Sequence, residues 1–204
     1  MNSVGKLIGS TTSPFVRKVR IMLAEKSIEY DWFVDSPWVE GNCISSHNPL
    51  GKVPVMVLPD TTVLYDSRVI TAWIESIAPS PALVEPKWRM EIMRMEALGD
   101  GICDAAATAF LESKRVPEQQ SQQWIALQQS KISAAVTSLA AMTTRGHTHL
   151  CGDYSLADIA VCTALAYLDL RYEGYDWRKE YPALESYATP ILARPAFRAT
   201  APVL

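Results

Sequence analysis

The stretch TTSPFVRKVRIMLAEK, Thr11 to Lys26, holds the reading that decides the fold. Serine is a favoured helix N-cap because its hydroxyl accepts a free backbone N–H, and proline is tolerated at the first helical position, where no N–H is needed. Ser13-Pro14 therefore predicts a helix start. Phe15, Val19 and Met22, joined by Val16 and Leu23, follow at helical spacing, so one face lies on a core. Arg17, Lys18, Arg20 and Glu25 fall to the other side and read as a solvated face.

Outward from this helix, Lys6 to Ile8 reads as a preceding strand and YDWFV, Tyr30 to Val34, as a following one. Two strands joined by a crossover helix pair in parallel, which makes a βαβ unit. VPVMVLPDTTVLYDS then places two apolar runs around the Pro59-Asp60 turn signal, an antiparallel hairpin. Val69, Ile70, Trp73, Ile74 and Ile77 mark a helix from Ser67 to about Ile77. The order is βαβ, an unassigned segment, then ββα, over residues 1–78. APSPALVEP punctuates the chain with prolines and reads as a linker, 79–87. From 88 to 204 the pattern is helical throughout. Trp88, Ile92 and Met95 begin one helix, and Trp124, Leu127, Ile132, Ala135, Val136, Leu139 and Met142 stripe another. SLADIAVCTALAYLDLR opens with Ser155 and Asp158 in capping-box spacing and continues apolar almost all round, a buried central helix. The tail adds a short helix bounded by Pro182 and Pro195.

Composition excludes several classes. The 204 residues are 49% hydrophobic and 20% charged, ordinary for a globular chain, and the net charge of -3 supplies no field for nucleic acid or an anionic membrane. No apolar run is long enough to span a bilayer, and the first residues lack a secretory pattern, so a cytoplasmic location is expected. Cys43, Cys103, Cys151 and Cys162 are scattered, as reduced, mostly buried thiols are. HTH at His147 to His149 lacks carboxylate or thiolate companions at ligand spacing, so no metal is expected.

Three short pieces carry candidate chemistry. Ser13 is a cap worth about 1 kcal/mol, yet the same helix N-terminus, with open N–H donors and the positive end of the macrodipole, can stabilise an anion. A thiolate is one such anion: lowering a free thiol's pKa of about 8.5 by two units requires roughly 2.7 kcal/mol. Thr11 and Thr12 offer hydroxyls in the same loop. Val53-Pro54 opens a strand; a cis bond there would turn the Val53 backbone outward to pair with an extended peptide. Asp66-Ser67 sits where a strand hands over to a helix. Capping is one reading. The other is that helix N–H groups and the Ser67 hydroxyl hold a carboxylate while Asp66 holds an ammonium, the two ends of an amino-acid zwitterion.

SPFVRKVRIMLAEK, NPLGKVPVMVLPD, LYDSRVI and GDYSLADIAV, closed by YPALESYA and RPAF, resemble in this order the glutathione transferase superfamily, over essentially the full chain and most closely its bacterial members. The resemblance implies an α+β, thioredoxin-like N-terminal domain followed by an all-helical domain, with glutathione as co-substrate. It implies that Ser13 hydrogen-bonds the glutathione thiolate, with Thr12 and then Thr11 in reserve. Val53, ahead of a cis Pro54, pairs with the cysteinyl backbone, Asp66 and Ser67 grip the γ-glutamyl end, and Lys52 meets the glycyl carboxylate. Trp38 walls the glycine end. An electrophile pocket between the domains takes Phe15 and the helix around Gly99, Ile102 and Cys103. Ser155 and Asp158 match a folding motif and are structural. Relatives with Cys at the Ser13 position exchange disulfides, which a hydroxyl cannot do. The implied activity is transfer of glutathione to a hydrophobic electrophile, or peroxide reduction, by a detoxifying homodimer with no nucleic-acid or membrane partner. The alternatives are a non-catalytic docking module and an isomerase, dehalogenase or thiol oxidoreductase on the same scaffold.

Overall fold

In the computed structural model, which describes residues 3–144, 148–172 and 174–203, β1 (Lys6–Gly9) and β2 (Asp31–Val34) pair in parallel around α1 (Pro14–Glu25). His147 of the HTH tripeptide lies outside the described residues. The unassigned segment holds a single helical turn, α2 (Ile44–His47), and the hairpin is β3 (Val55–Val57) with β4 (Val63–Leu64), followed by α3 (Ser67–Ile77). The sheet order is β2-β1-β3-β4, with β3 antiparallel to both its neighbours. Leu7, Ile8, Val55 and Met56 of the sheet and Val16, Val19, Met22 and Ile70 of the helices are buried. Gly9 permits the close approach of α1: a Cβ there would stand 2.5 Å from Val16 Cγ2.

The second half is helical, as expected: α4 (Arg89–Ser113), α5 (Gln122–Thr143), α6 (Leu156–Arg171), α7 (Trp177–Glu180), α8 (Pro182–Leu192) and α9 (Pro195–Ala199). This is the thioredoxin-like sheet followed by an all-helical part. By its contacts the chain divides into Met1–Leu83 together with Arg194–Leu204, and Val84–Ala193. Segmentation by sequence keeps 88–204 in one piece; here 194–204, with α9, joins the first unit.

In the first unit α9 packs on α1, which overturns one expectation. Arg17 and Lys18 are 9% and 1% exposed, so α1 has no solvated basic face at these positions. The Arg17 guanidinium donates to the Phe197 carbonyl at 3.0 Å and lies 5.7 Å from the centre of the Phe197 ring. Arg20 is half-buried over Trp32, its Nε donating to the Tyr30 hydroxyl at 3.2 Å. A buried cation is tolerable only when hydrogen-bonded or paired. Lys26 meets that condition: its ammonium takes the Glu75 carboxylate at 2.9 Å and the carbonyls of Ala78 and Pro81, which fixes the start of the linker to α1 and α3.

In the second unit α6 is buried nearly all round. The Ser155–Asp158 capping box forms, with Asp158 Oδ2 accepting the Ser155 N–H at 2.9 Å. Gly99 lets α4 press on α6, since a Cβ there would stand 2.8 Å from the Ala160 carbonyl. The start of the α5 stripe differs from expectation: Trp124 and Leu127 are 44% and 45% exposed, and burial begins at Gln128 and Ile132.

Candidate functional site

Strand register brings the candidate residues to one edge. Gly9, the last residue of β1, opposes Val34, the last of β2, and the next residue inward, Ile8, opposes Val55, the first of β3. Leu64, the last of β4, lies beside Met56 near that same end of β3. Consequently the loop to Ser13, the Lys52-Val53 turn, the Tyr65-Asp66-Ser67 junction and the Asp35–Trp38 loop all emerge at the C-terminal edge of β1 and β2. Open α/β sheets present ligand sites at that edge.

Ser13 is the N-cap of α1, accepting the Val16 N–H at 3.4 Å, with Pro14 at the first position. A hydroxyl has one donor and two acceptor sites, so capping uses only an acceptor and leaves the proton free to be donated. Cap and chemistry are compatible in one residue. The Thr11 hydroxyl is engaged elsewhere, donating to the Val203 carbonyl at 2.9 Å. The Thr12 hydroxyl and the Phe15 N–H have no partner among the described residues.

The Val53–Pro54 bond is cis, as the resemblance implies, and the Val53 N–H and C=O likewise find no partner among the described residues. Lys52 is exposed, and its carbonyl takes the Asn48 Nδ2 at 2.9 Å. Asp66 is the exposed N-cap of α3 and accepts the Arg68 N–H at 3.0 Å. Ser67 is 2% exposed, yet its N–H and hydroxyl have no partner among the described residues. These open donors and acceptors can meet a ligand without breaking an existing bond. One edge therefore offers a hydroxyl at a helix N-terminus, an open strand-like backbone at Val53, open donors at Ser67, and flanking charges of opposite sign at Asp66 and Lys52. That set suits an extended peptide with ionised ends.

Sequence reasoning missed Asp35. Its Oδ2 accepts the Cys43 N–H at 2.8 Å and the Cys43 thiol at 3.1 Å, and its Oδ1 accepts the Ser36 N–H at 2.8 Å, which closes the loop carrying Trp38. These donors, Cys43 first, hold the Asp35 carboxyl below its ordinary range, and the same bond pushes the Cys43 thiol up. No pattern within the sequence pairs positions 35 and 43. Trp38 is 74% exposed. Phe15 is half-buried beside the α1 N-terminus. Ile102 and Cys103 are buried in α4, at 2% and 3% exposure, inside the second unit. The four cysteines are free thiols. Among the described residues there is no helix long and apolar enough to cross a membrane and no cluster of His, Cys, Asp and Glu that could hold a metal ion.

Residues 12–77 match the family described as Glutathione S-transferase, N-terminal domain, and residues 122–189 match Glutathione S-transferase, C-terminal domain. Over 199 residues the chain is 35% identical to the GST-like protein YibF of Escherichia coli strain K12, covering 97% of this chain and 98% of that protein. Among solved structures, a glutathione S-transferase from Methylobacillus flagellatus KT with glutathione bound is 37% identical, with a TM-score of 0.93 over 97% of this chain and 99% of that one. Another, from Methylobacterium radiotolerans in complex with glutathione sulfonate, is 36% identical, with a TM-score of 0.92 over 98% and 95%. With both halves matched and the identity running nearly end to end, the chain belongs to the glutathione S-transferase superfamily.

Proposed function

We propose that this protein is a glutathione transferase: it binds glutathione at the C-terminal edge of β1 and β2, lowers the thiol pKa, and passes the thiolate to an electrophile. The convergence of open donors and paired charges on that edge carries the reading, because each group that glutathione needs finds a counterpart without displacing an existing bond. The Val53 N–H and C=O pair with the cysteinyl residue. Ser67 and Asp66 take the γ-glutamyl carboxylate and ammonium, and Lys52 takes the glycyl carboxylate. Ser13 donates to the thiolate while still capping α1, with Thr12 in reserve. Catalysis then rests on a lowered thiol pKa and on proximity, with no covalent enzyme intermediate. The relatives from Methylobacillus flagellatus and Pseudomonas fluorescens Pf-5, 37% and 31% identical, carry bound glutathione in their crystals and support the ligand.

Phe15 supplies apolar surface beside the sulfur, so the second substrate proposed is an electrophile with an apolar body, or a hydroperoxide, in a cytoplasmic detoxifying role. The active form proposed is a homodimer. Val69 and Ile77 of α3 and Met90 and Met93 of α4 are 46–72% exposed apolar side chains of the kind an interface covers.

The test is the ultraviolet thiolate absorbance of bound glutathione against pH. The parent should show a thiol pKa about two units below the free value of about 8.5, and Ser13→Ala should raise it by one unit or more while Thr12→Ala leaves it in place. Absence of binding, or binding with an ordinary thiol, refutes the transferase reading and favours a docking module.

A further inference from the structure

We propose that the 194–203 segment is a strap that orders the hydroxyl loop at the mouth of α1, and that Thr11 is the positioning residue that receives it. The segment lies antiparallel to α1 and is anchored at three successive points. Arg194 forks onto Glu25 at the far end of the helix, Nε to Oε1 at 2.8 Å and Nη2 to Oε2 at 2.7 Å. The Phe197 carbonyl takes the Arg17 guanidinium one turn past Ser13, at 3.0 Å, with the Phe197 ring fully buried. The Val203 carbonyl then takes the Thr11 hydroxyl at 2.9 Å. As strap numbers rise from 194 to 203, their partners on the α1 side fall from 25 to 11, so each anchor sets the register for the next. Between them the Thr200 hydroxyl, 4% exposed, donates to the Ala196 carbonyl at 2.8 Å and closes the turn that leads from α9 to Val203.

The loop needs such a contact because it is weakly held by itself. Its own hydrogen bonds are long: the Ser13 N–H reaches the Ser10 carbonyl at 3.4 Å, and the Ser13 hydroxyl receives the Val16 N–H at 3.4 Å. The bond from Thr11 to Val203 is the short one, and it comes from a segment nearly two hundred residues away in sequence. A side chain that must meet a sulfur within a few tenths of an ångström depends on a neighbour that removes the loop's freedom. Thr11 acts through Ser13 and touches no substrate. The effect on the bound thiol rests on the function proposed above; the ordering of the loop does not.

Hydrogen exchange at the amides of residues 10–13 in the whole protein, free of glutathione, tests the strap directly. Thr11→Val, and separately a chain ended at Pro202, should each speed exchange about fivefold, the opening equilibrium expected from loss of one ordinary hydrogen bond. The two changes combined should give no further effect, and Thr11→Ser should exchange as the parent does. In the thiolate titration, Thr11→Val and the shortened chain should raise the bound-thiol pKa together, with Thr11→Ser again parental. Exchange at the parental rate in Thr11→Val or in the shortened chain overturns the strap, and faster exchange with an unmoved thiol pKa overturns its positioning role. If the parent itself shows an ordinary thiol, the transferase reading fails, and the strap is judged on exchange alone.

Discussion

Asp158→Ala should destabilise the second unit by about 4 kcal/mol. The carboxylate is fully buried and satisfies donors on both oxygens: Oδ1 accepts the Leu150 N–H at 3.0 Å and the Tyr187 hydroxyl at 2.7 Å, and Oδ2 accepts the Ser155 N–H at 2.9 Å and hydroxyl at 3.1 Å. Removing it strands the Ser155 N–H and the Tyr187 hydroxyl, on residues each 4% exposed, at about 1–3 kcal/mol apiece. Bonds to one acceptor group do not add fully, which keeps the total near 4 kcal/mol, at the edge of what single substitutions do. With a urea slope of about 2 kcal/mol/M for a unit of this size, the midpoint read by far-ultraviolet circular dichroism should fall by about 2 M. Asp158→Asn keeps the volume and one carbonyl oxygen and should fall roughly half as far. A drop of less than about 0.5 M in Asp158→Ala, at unchanged slope, would refute the accounting.

Two neighbouring glycines of α4 should respond with opposite sign. Gly99→Ala drives a methyl into the Ala160 backbone and should cost about 2 kcal/mol or more, whereas Gly101, where an added Cβ would meet nothing within 4 Å, should gain about 0.5–1 kcal/mol as Ala, both read as melting temperatures. Asp35→Ala removes the hydrogen bond that chiefly raises the Cys43 thiol, together with the charge beside it, so alkylation of Cys43 near pH 8 should quicken severalfold; Cys151, pushed up to about 11 by burial, and Cys162, raised by burial, should stay unmodified until the protein unfolds. Because the folded pKa of Asp35 is lowered, its hold on Cys43 is complete above the unfolded carboxyl value of about 3.9 and is lost as pH falls through the lower folded value. The Cys43 amide resonance should accordingly stay fixed from pH 7 to about pH 4 and move only below that.

The βαβ unit, the β3–β4 hairpin, the helix starts at Pro14 and Ser67 and the α6 cap were legible because each rests on neighbours in sequence: a cap, a turn pair, an apolar period; the antiparallel pairing of β1 with β3, which joins the two pieces into one sheet, was not. The placement of Ser13, Asp66 and Ser67 at helix starts and of Val53 just before a strand was legible for the same reason, since caps and strand starts announce themselves locally. What escaped depends on distant partners. Arg17 looks solvated beside Lys18 and Arg20, and only Phe197 turns it inward. Thr11, Thr12 and Ser13 are chemically alike in sequence, and it is Val203 that distinguishes Thr11. The α2 turn has no side-chain cap hydrogen bond and spans Ile44–His47, too short for a period to emerge. Trp124 and Leu127 fit the α5 stripe by spacing alone, yet remain nearly half exposed.

Because α9 belongs with the sheet, the first unit is made from the earliest and the latest parts of the chain. On the ribosome, β1 to α3 exist long before Phe197 is synthesised, and the side of α1 that ends with Arg17 against a buried phenylalanine has nothing there to meet. The nascent sheet therefore waits with an uncovered flank while the helices from α4 to α8 are made, an interval in which chaperones or neighbouring nascent chains compete for it. Synthesis of the 194–203 segment, rather than of the sheet itself, is the event that completes the first unit.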